Sequence, residues 1–184
     1  GSMITLEAVA RGFTRDFEQM ATGADAHIMV RQADVVDTTL SAIDERVGAR
    51  IAALPGVRDI DGAIFTAVLM PEAGVFFGVE GFEPSGFSIQ RFRVVEGEAL
   101  TGNHQILLGR RMADSLNKKP GDTFSLSGVR FRVVGIYESR VAWEELGGVM
   151  SLRDAQVFAG RPRKVSLYGV QMVDPAQAAA MVER

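Results

Sequence analysis

The sequence predicts an α+β fold with a β-rich middle, and three observations carry that prediction. Apolar residues recur at helical spacing over Leu40, Ile43, Val47, Ile51 and Leu54. Apolar and polar residues alternate over Thr123–Leu126 and again over Val129–Tyr137, the period of a half-buried antiparallel pair. Between those runs, Ser127-Gly128 has the composition of a two-residue hairpin loop. A chain that carries both periods in separate stretches is a layered mixture of helix and sheet.

The totals set the frame. With 184 residues and 47% apolar content, the chain can bury a core as one medium domain or two small ones. A net charge of −3 gives no reason to propose a nucleic-acid partner. The absence of Cys excludes disulfides, thiolate metal sites and Cys nucleophiles. Gly1-Ser2-Met3 reads as a tag-cleavage scar. No apolar run approaches the ~20 residues of a membrane span, so the fragment is expected to be soluble.

In chain order, Leu6, Val9, Phe13, Phe17 and Met20 place one apolar stripe on a helix over residues 4–22. Ala26–Gln32 alternates as a strand, with Ile28 and Val30 on one side and Met29 and Arg31 on the other. Asp37 or Thr38 caps the helix that runs to Leu54, and Pro55-Gly56 ends it. Val57–Met70 is a strand region with an interruption near Asp61-Gly62, and Val75–Gly81 is the next strand. Phe82–Phe92 reads as a loop that returns its aromatics to the core. Glu96-Gly97 reads as a turn. Gln105–Leu108 is a strand, and Met112 and Leu116 lie four apart on a short helix. Lys119-Pro120-Gly121-Asp122 is a turn leading into the hairpin. Glu138–Gly148 has no regular period and carries Trp143. Ser151 and Asp154 form a capping-box-like start for a helix to about Phe158. Val165–Val173 is a strand, and Asp174-Pro175 opens a final helix.

The stretch from Gln105 to Tyr137 also resembles a known signature, that of the MacB-like periplasmic core domain of MacB/FtsX-type ABC transporter permeases. Leu107, Leu108, Gly109, Ala113, Leu116, Gly121, Asp122, Thr123, Phe131, Val133, Val134, Gly135 and Ile136 carry the likeness. The resemblance implies a ferredoxin-like porter subdomain over residues 23–74 and 164–184, with an inserted β-rich, sabre-like subdomain over residues 75–163. It makes residues 4–22 a stalk-like helix continuing a membrane helix. It implies a non-catalytic extracytoplasmic domain, held by the membrane-spanning remainder of a permease that acts as a dimer, with ATP hydrolysed in the cytoplasm. Such a domain couples that hydrolysis to motion outside the membrane and handles a lipoprotein, peptide, lipid or cell-wall hydrolase. In a ferredoxin-like layer the last strand pairs with the first, and that last strand is missing here. The edge of Ala26–Gln32 is therefore expected to be open, or covered by another molecule or by the N-terminal segment.

The residues themselves give little chemistry. His27 and His104 lack the spacing of a metal site. Gly78, Gly81 and Gly86 make no phosphate loop, and no G-x-S-x-G occurs. Glu96 and Glu98 flank a turn, where carboxylates are ordinarily solvated. No cofactor and no enzyme activity are expected. Trp143 and the basic cluster Arg161, Arg163 and Lys164 are the candidate partner contacts, although three charges in a turn are more often simply solvated. A free-standing extracytoplasmic ligand-binding or adaptor protein is the alternative reading.

Overall fold

The computed structural model describes residues 4–7, 26–32, 41–71 and 73–178. The elements are β1 (Ile4–Glu7), β2 (Ile28–Gln32), β3 (Ile43–Asp44), α1 (Glu45–Ala52), β4 (Val57–Met70), β5 (Val75–Phe82), a 3-10 turn (Ser88–Arg91) and β6 (Arg93–Gly97). They continue with β7 (Gln105–Gly109), α2 (Arg110–Leu116), β8 (Thr123–Leu126), β9 (Val129–Glu138), a 3-10 strap (Ala142–Leu146), β10 (Gly147–Ser151), α3 (Leu152–Phe158), β11 (Lys164–Val165), β12 (Leu167–Met172) and a last 3-10 turn (Pro175–Gln177).

Among the described residues, ten strands form one mixed sheet in the order β1-β2-β12-β4-β5-β10-β7-β9-β6, with β8 paired to β9. Apolar residues cover both faces of its centre. Ile106 and Leu108 join the face that receives Ile51, Met112, Leu152 and Ala155 from the helices. Leu107 joins the opposite face, with Phe82, Phe92 and Tyr137. Alternate side chains point to opposite faces, so a strand buried on both sides reads as a continuous apolar run.

The α+β class and the hairpin hold. Thr123↔Arg132 through Leu126↔Val129 pair in register. Ser127 and Gly128 take φ of 48° and 79°, the two left-handed residues that match the twist of a hairpin. β2, β12 and β4 stand side by side and antiparallel, the first, third and second strands of a ferredoxin-like layer. β2 is paired on both sides, because β1 lies antiparallel along its other edge, from Ile4↔Gln32 to Glu7↔Met29. The N-terminal segment thus covers that edge. Residues 75–163 continue the same sheet, since β4 and β5 pair from Ala63↔Phe82 to Met70↔Val75 across the 74/75 boundary.

Four expectations need correction. Ile4–Glu7 is a strand rather than the start of a helix, because β2 offers it a ladder of backbone partners; the rest of the 4–22 stretch lies outside the described residues. The second helix begins at Glu45, not near Asp37 or Thr38. Ile43 is spent on pairing with Val165, which keeps the chain extended until Asp44 can cap, accepting from the Arg46 N–H at 2.9 Å. Leu54 lies past the helix end and is exposed, and Leu40 lies outside the described residues. The interruption at Asp61-Gly62 does not occur, and β4 runs unbroken for 14 residues. Gly62 makes room for the Tyr168 ring, and Asp61, pushed up by burial, accepts from the Ser88 N–H at 2.8 Å. Finally, Glu138–Gly148 is not irregular throughout. It contains the strap and the start of β10, a fully buried strand parallel to β5. Glycines at Gly147 and Gly148 hid that strand, yet a Cβ at Gly147 would fall on the backbone of Gly78.

Candidate functional site

Trp143 lies on the strap, whose neighbours are α2, β5, β7 and β10. The strap crosses directly over Gly109, where a Cβ would strike the backbone of Glu145. One turn of 3-10 helix divides its side chains. Trp143 and Leu146 point outward, each 45% exposed, while Glu144 points in and is buried. Two large apolar side chains therefore face solvent above a buried acid.

What holds Glu144 in place is an ionic node. Arg91 Nη1 donates to both Glu144 oxygens, at 2.8 Å and 2.7 Å. The guanidinium lies 4.0 Å from the centroid of Phe92 and 5.7 Å from that of Phe82, a cation over two aromatic rings. The Ser139 hydroxyl reaches Glu144 Oε2 at 3.3 Å. The Tyr137 hydroxyl donates to the Glu144 backbone carbonyl at 2.6 Å. Glu80, from β5, completes the node, with Oε1 3.6 Å from Arg91 Nη2. The arrangement ties β5, β9, the Ser88–Arg91 turn and the strap together. Sequence reasoning missed it, although a signal was present: Glu80 interrupts the apolar run V-F-F-G-V-E-G-F, and a charge on a buried strand requires a partner.

The basic cluster sits elsewhere, on the turn between α3 and β11, and the structure does not bring it to Trp143. Its backbone braces α1 and α3: the Arg163 carbonyl accepts from the Glu45 N–H of α1 at 3.0 Å, and the Lys164 carbonyl accepts from Gln156 Nε2 of α3 at 3.0 Å. Lys164 Nζ stands 3.5 Å from Asp44 Oδ2. The histidines are also separate. His27 Nδ1 accepts from the Met172 N–H at 2.9 Å, and the His104 N–H donates to Asp154 at 2.6 Å. A shallow cleft of about 510 Å³ opens beside His104, floored by Val68, Val129 and Phe131 and rimmed by Arg153 and Val157. No group of three potential metal ligands occurs among the described residues.

A large mixed sheet with few helices matches the architecture of solved MacB-like periplasmic domains. The chain belongs to the MacB-like periplasmic core domain family, which matches residues 1–184. It is similar in fold to the extracellular domain of the noncanonic ABC-type transporter YknZ from Gram-positive bacteria (TM-score 0.61, 16% identity, 76% of this chain and 78% of that one). It is also similar to the periplasmic region of MacB from Actinobacillus actinomycetemcomitans (TM-score 0.58, 13% identity, 76% and 71%). No curated relative matches it. The protein is thus an extracytoplasmic domain of a MacB-type ABC transporter permease. Among the described residues no helix is long and apolar enough to cross a membrane.

Proposed function

We propose that this domain passes motion produced by cytoplasmic ATP hydrolysis to a partner outside the membrane, within a dimeric permease, and that Trp143 and Leu146 form part of the partner contact. The domain holds no energy source of its own, so it couples states that ATP hydrolysis elsewhere drives. The observation that carries this reading is β4. It spans ~46 Å at about 3.3 Å per residue and is paired to β12 in its first half and to β5 in its second. A force applied at one end reaches the other through a single hydrogen-bonded sheet. Arg161, Arg163 and Lys164 form a secondary contact for an acidic partner or lipid head groups.

The test uses spin labels at Leu54 and Phe76, exposed positions near opposite ends of β4, in the full permease with its ATPase. The distance between the labels should stay fixed between nucleotide-free and ATP-bound states, while each label moves relative to the membrane. A change in the distance itself would overturn the reading. Trp143→Ala should leave folding stability within about 0.5 kcal/mol, as for other surface substitutions, and weaken stimulation of the ATPase by the extracytoplasmic partner.

A further inference from the structure

Glu80 is 4% exposed at its side chain, and neither of its carboxyl oxygens accepts a hydrogen bond from a described donor. The 3.6 Å to Arg91 Nη2 is too long for one, and that Nη2 is itself unsatisfied. Arg91 Nη1 is committed to Glu144, whose side chain is 0% exposed. Two carboxyl groups therefore share one guanidinium out of reach of water. With both ionised, the node would keep one uncompensated negative charge, which a buried site does not tolerate. One proton removes that charge and supplies a hydrogen bond, because a protonated Glu80 donates to Glu144.

We propose that Glu80 and Glu144 hold one proton between them beneath the strap, and that loss of this proton frees the strap and the Trp143 it carries. Burial, and after it the charge of Glu144, raises the Glu80 carboxyl well above the usual carboxylate range against the pull of Arg91. Burial pushes Glu144 up as well, but the charge and hydrogen bonds of Arg91 and the hydroxyl of Ser139 favour its ionised form. Glu80 is accordingly the proton's carrier. Tyr137 faces the same node, and burial keeps its hydroxyl neutral. Glu145, on the strap, adds negative charge near Tyr137. Arg110 of α2 is directed to Glu96 and Asp114, and β7 and β10 carry no titratable side chain. Once Glu80 ionises, its charge repels Glu144, the one side chain that ties the strap inward to Arg91.

Trp143 is the only Trp, so it reports on the strap alone. Raising the pH from about 5 to about 9 should increase its quenching by acrylamide and shift its emission to the red, with far-ultraviolet circular dichroism unchanged, as for a single group coupled to a local opening. Glu80→Gln, which keeps a donor toward Glu144, should lose the transition and hold the low-pH spectrum throughout. Infrared spectra at neutral pH should contain a protonated-carboxyl band that Glu80→Gln lacks. Should that variant fail to fold, Glu144→Gln provides the second arm: Glu80 then faces Arg91 alone, ionises, and the band disappears. A Trp143 transition that persists in Glu80→Gln, a wild type with no transition, or a protein with no protonated carboxyl at neutral pH would each overturn the proposal.

Discussion

A single nitrogen of Arg91 clamps both carboxyl oxygens of Glu144, and the two residues are 53 positions apart in sequence. Both side chains are buried, at 6% and 0% exposure. The pair fastens the strap to the sheet at the point where Trp143 emerges on the outside.

Removing the cation should therefore be costly. Arg91→Met keeps much of the apolar stem but leaves two buried carboxyl groups without a counter-charge. Breaking a buried pair in this way costs about 3–5 kcal/mol, read as a shift in the urea midpoint at neutral pH. The deficit should shrink in acid, because protonating the carboxyls removes the charge that lacks a partner. The wild type has its own slope. Glu80 titrates higher in the folded than in the unfolded chain, so its contribution is fully present below the ordinary carboxylate range and is lost as pH rises through its raised value. Arg91→Lys should not rescue, since an ammonium cannot lie flat on Phe92.

Gly81→Ala tests how closely α3 lies on the sheet. A Cβ there would collide with the Cβ of Ala155 and come within 2.9 Å of Ile64 Cγ2. Neither neighbour is a flexible side-chain end, so the helix must lift. Overpacking of this kind costs about 1–3 kcal/mol, measured by thermal or urea melts. Gly78→Ala, three residues earlier in β5 and with open space at its Cβ, is the control and should change stability far less.

Ile43→Ala should cost ~2–5 kcal/mol, the price of a buried Ile with its cavity. Ile43 is 1% exposed and Ile51 is 5% exposed, while Val47 is only partly buried. Val47→Ala should accordingly cost less than either. A urea series over the three positions separates the two effects, because Ile43 acts through the β3–β11 pair and Val47 and Ile51 act through α1.

What could be read from the sequence, and what could not, follows from how local each signal is. The β8–β9 hairpin, the Ser151 cap and the Asp174-Pro175 start are each specified by residues within a few positions of one another, and each is found where expected. The 3.6-residue period through Ile43 was misleading because the pairing of Ile43 with Val165 depends on a segment far away in sequence. β10 was missed for a related reason. Its glycines look like loop residues until β5 and β7 crowd in from either side. At the candidate site, Trp143 was visible as a lone aromatic in an aperiodic stretch. The Arg91–Glu144–Glu80 node was not, because three separated elements contribute to it and only Glu80 stood out from its surroundings.

The last prediction concerns the outer edge of the sheet. β2 carries two ladders, one to β12 and one to β1. β1 occupies the place beside β2 that the final strand of a ferredoxin-like layer would fill. Its four residues all pair with β2 and cover a row of backbone N–H and C=O groups that otherwise invites another chain. Deleting residues 1–7 should leave the sheet folded, since the β2–β12 ladder and the buried Ile28 and Val30 remain. Hydrogen exchange should then accelerate at alternate β2 amides, those turned toward β1, while the amides turned toward β12 stay protected. The shortened chain should also self-associate as its concentration rises, with two uncovered β2 edges pairing, and sedimentation velocity would detect the dimer. Uniform loss of protection along both β2 and β12 would mean instead that β1 holds the whole layer together rather than covering its edge.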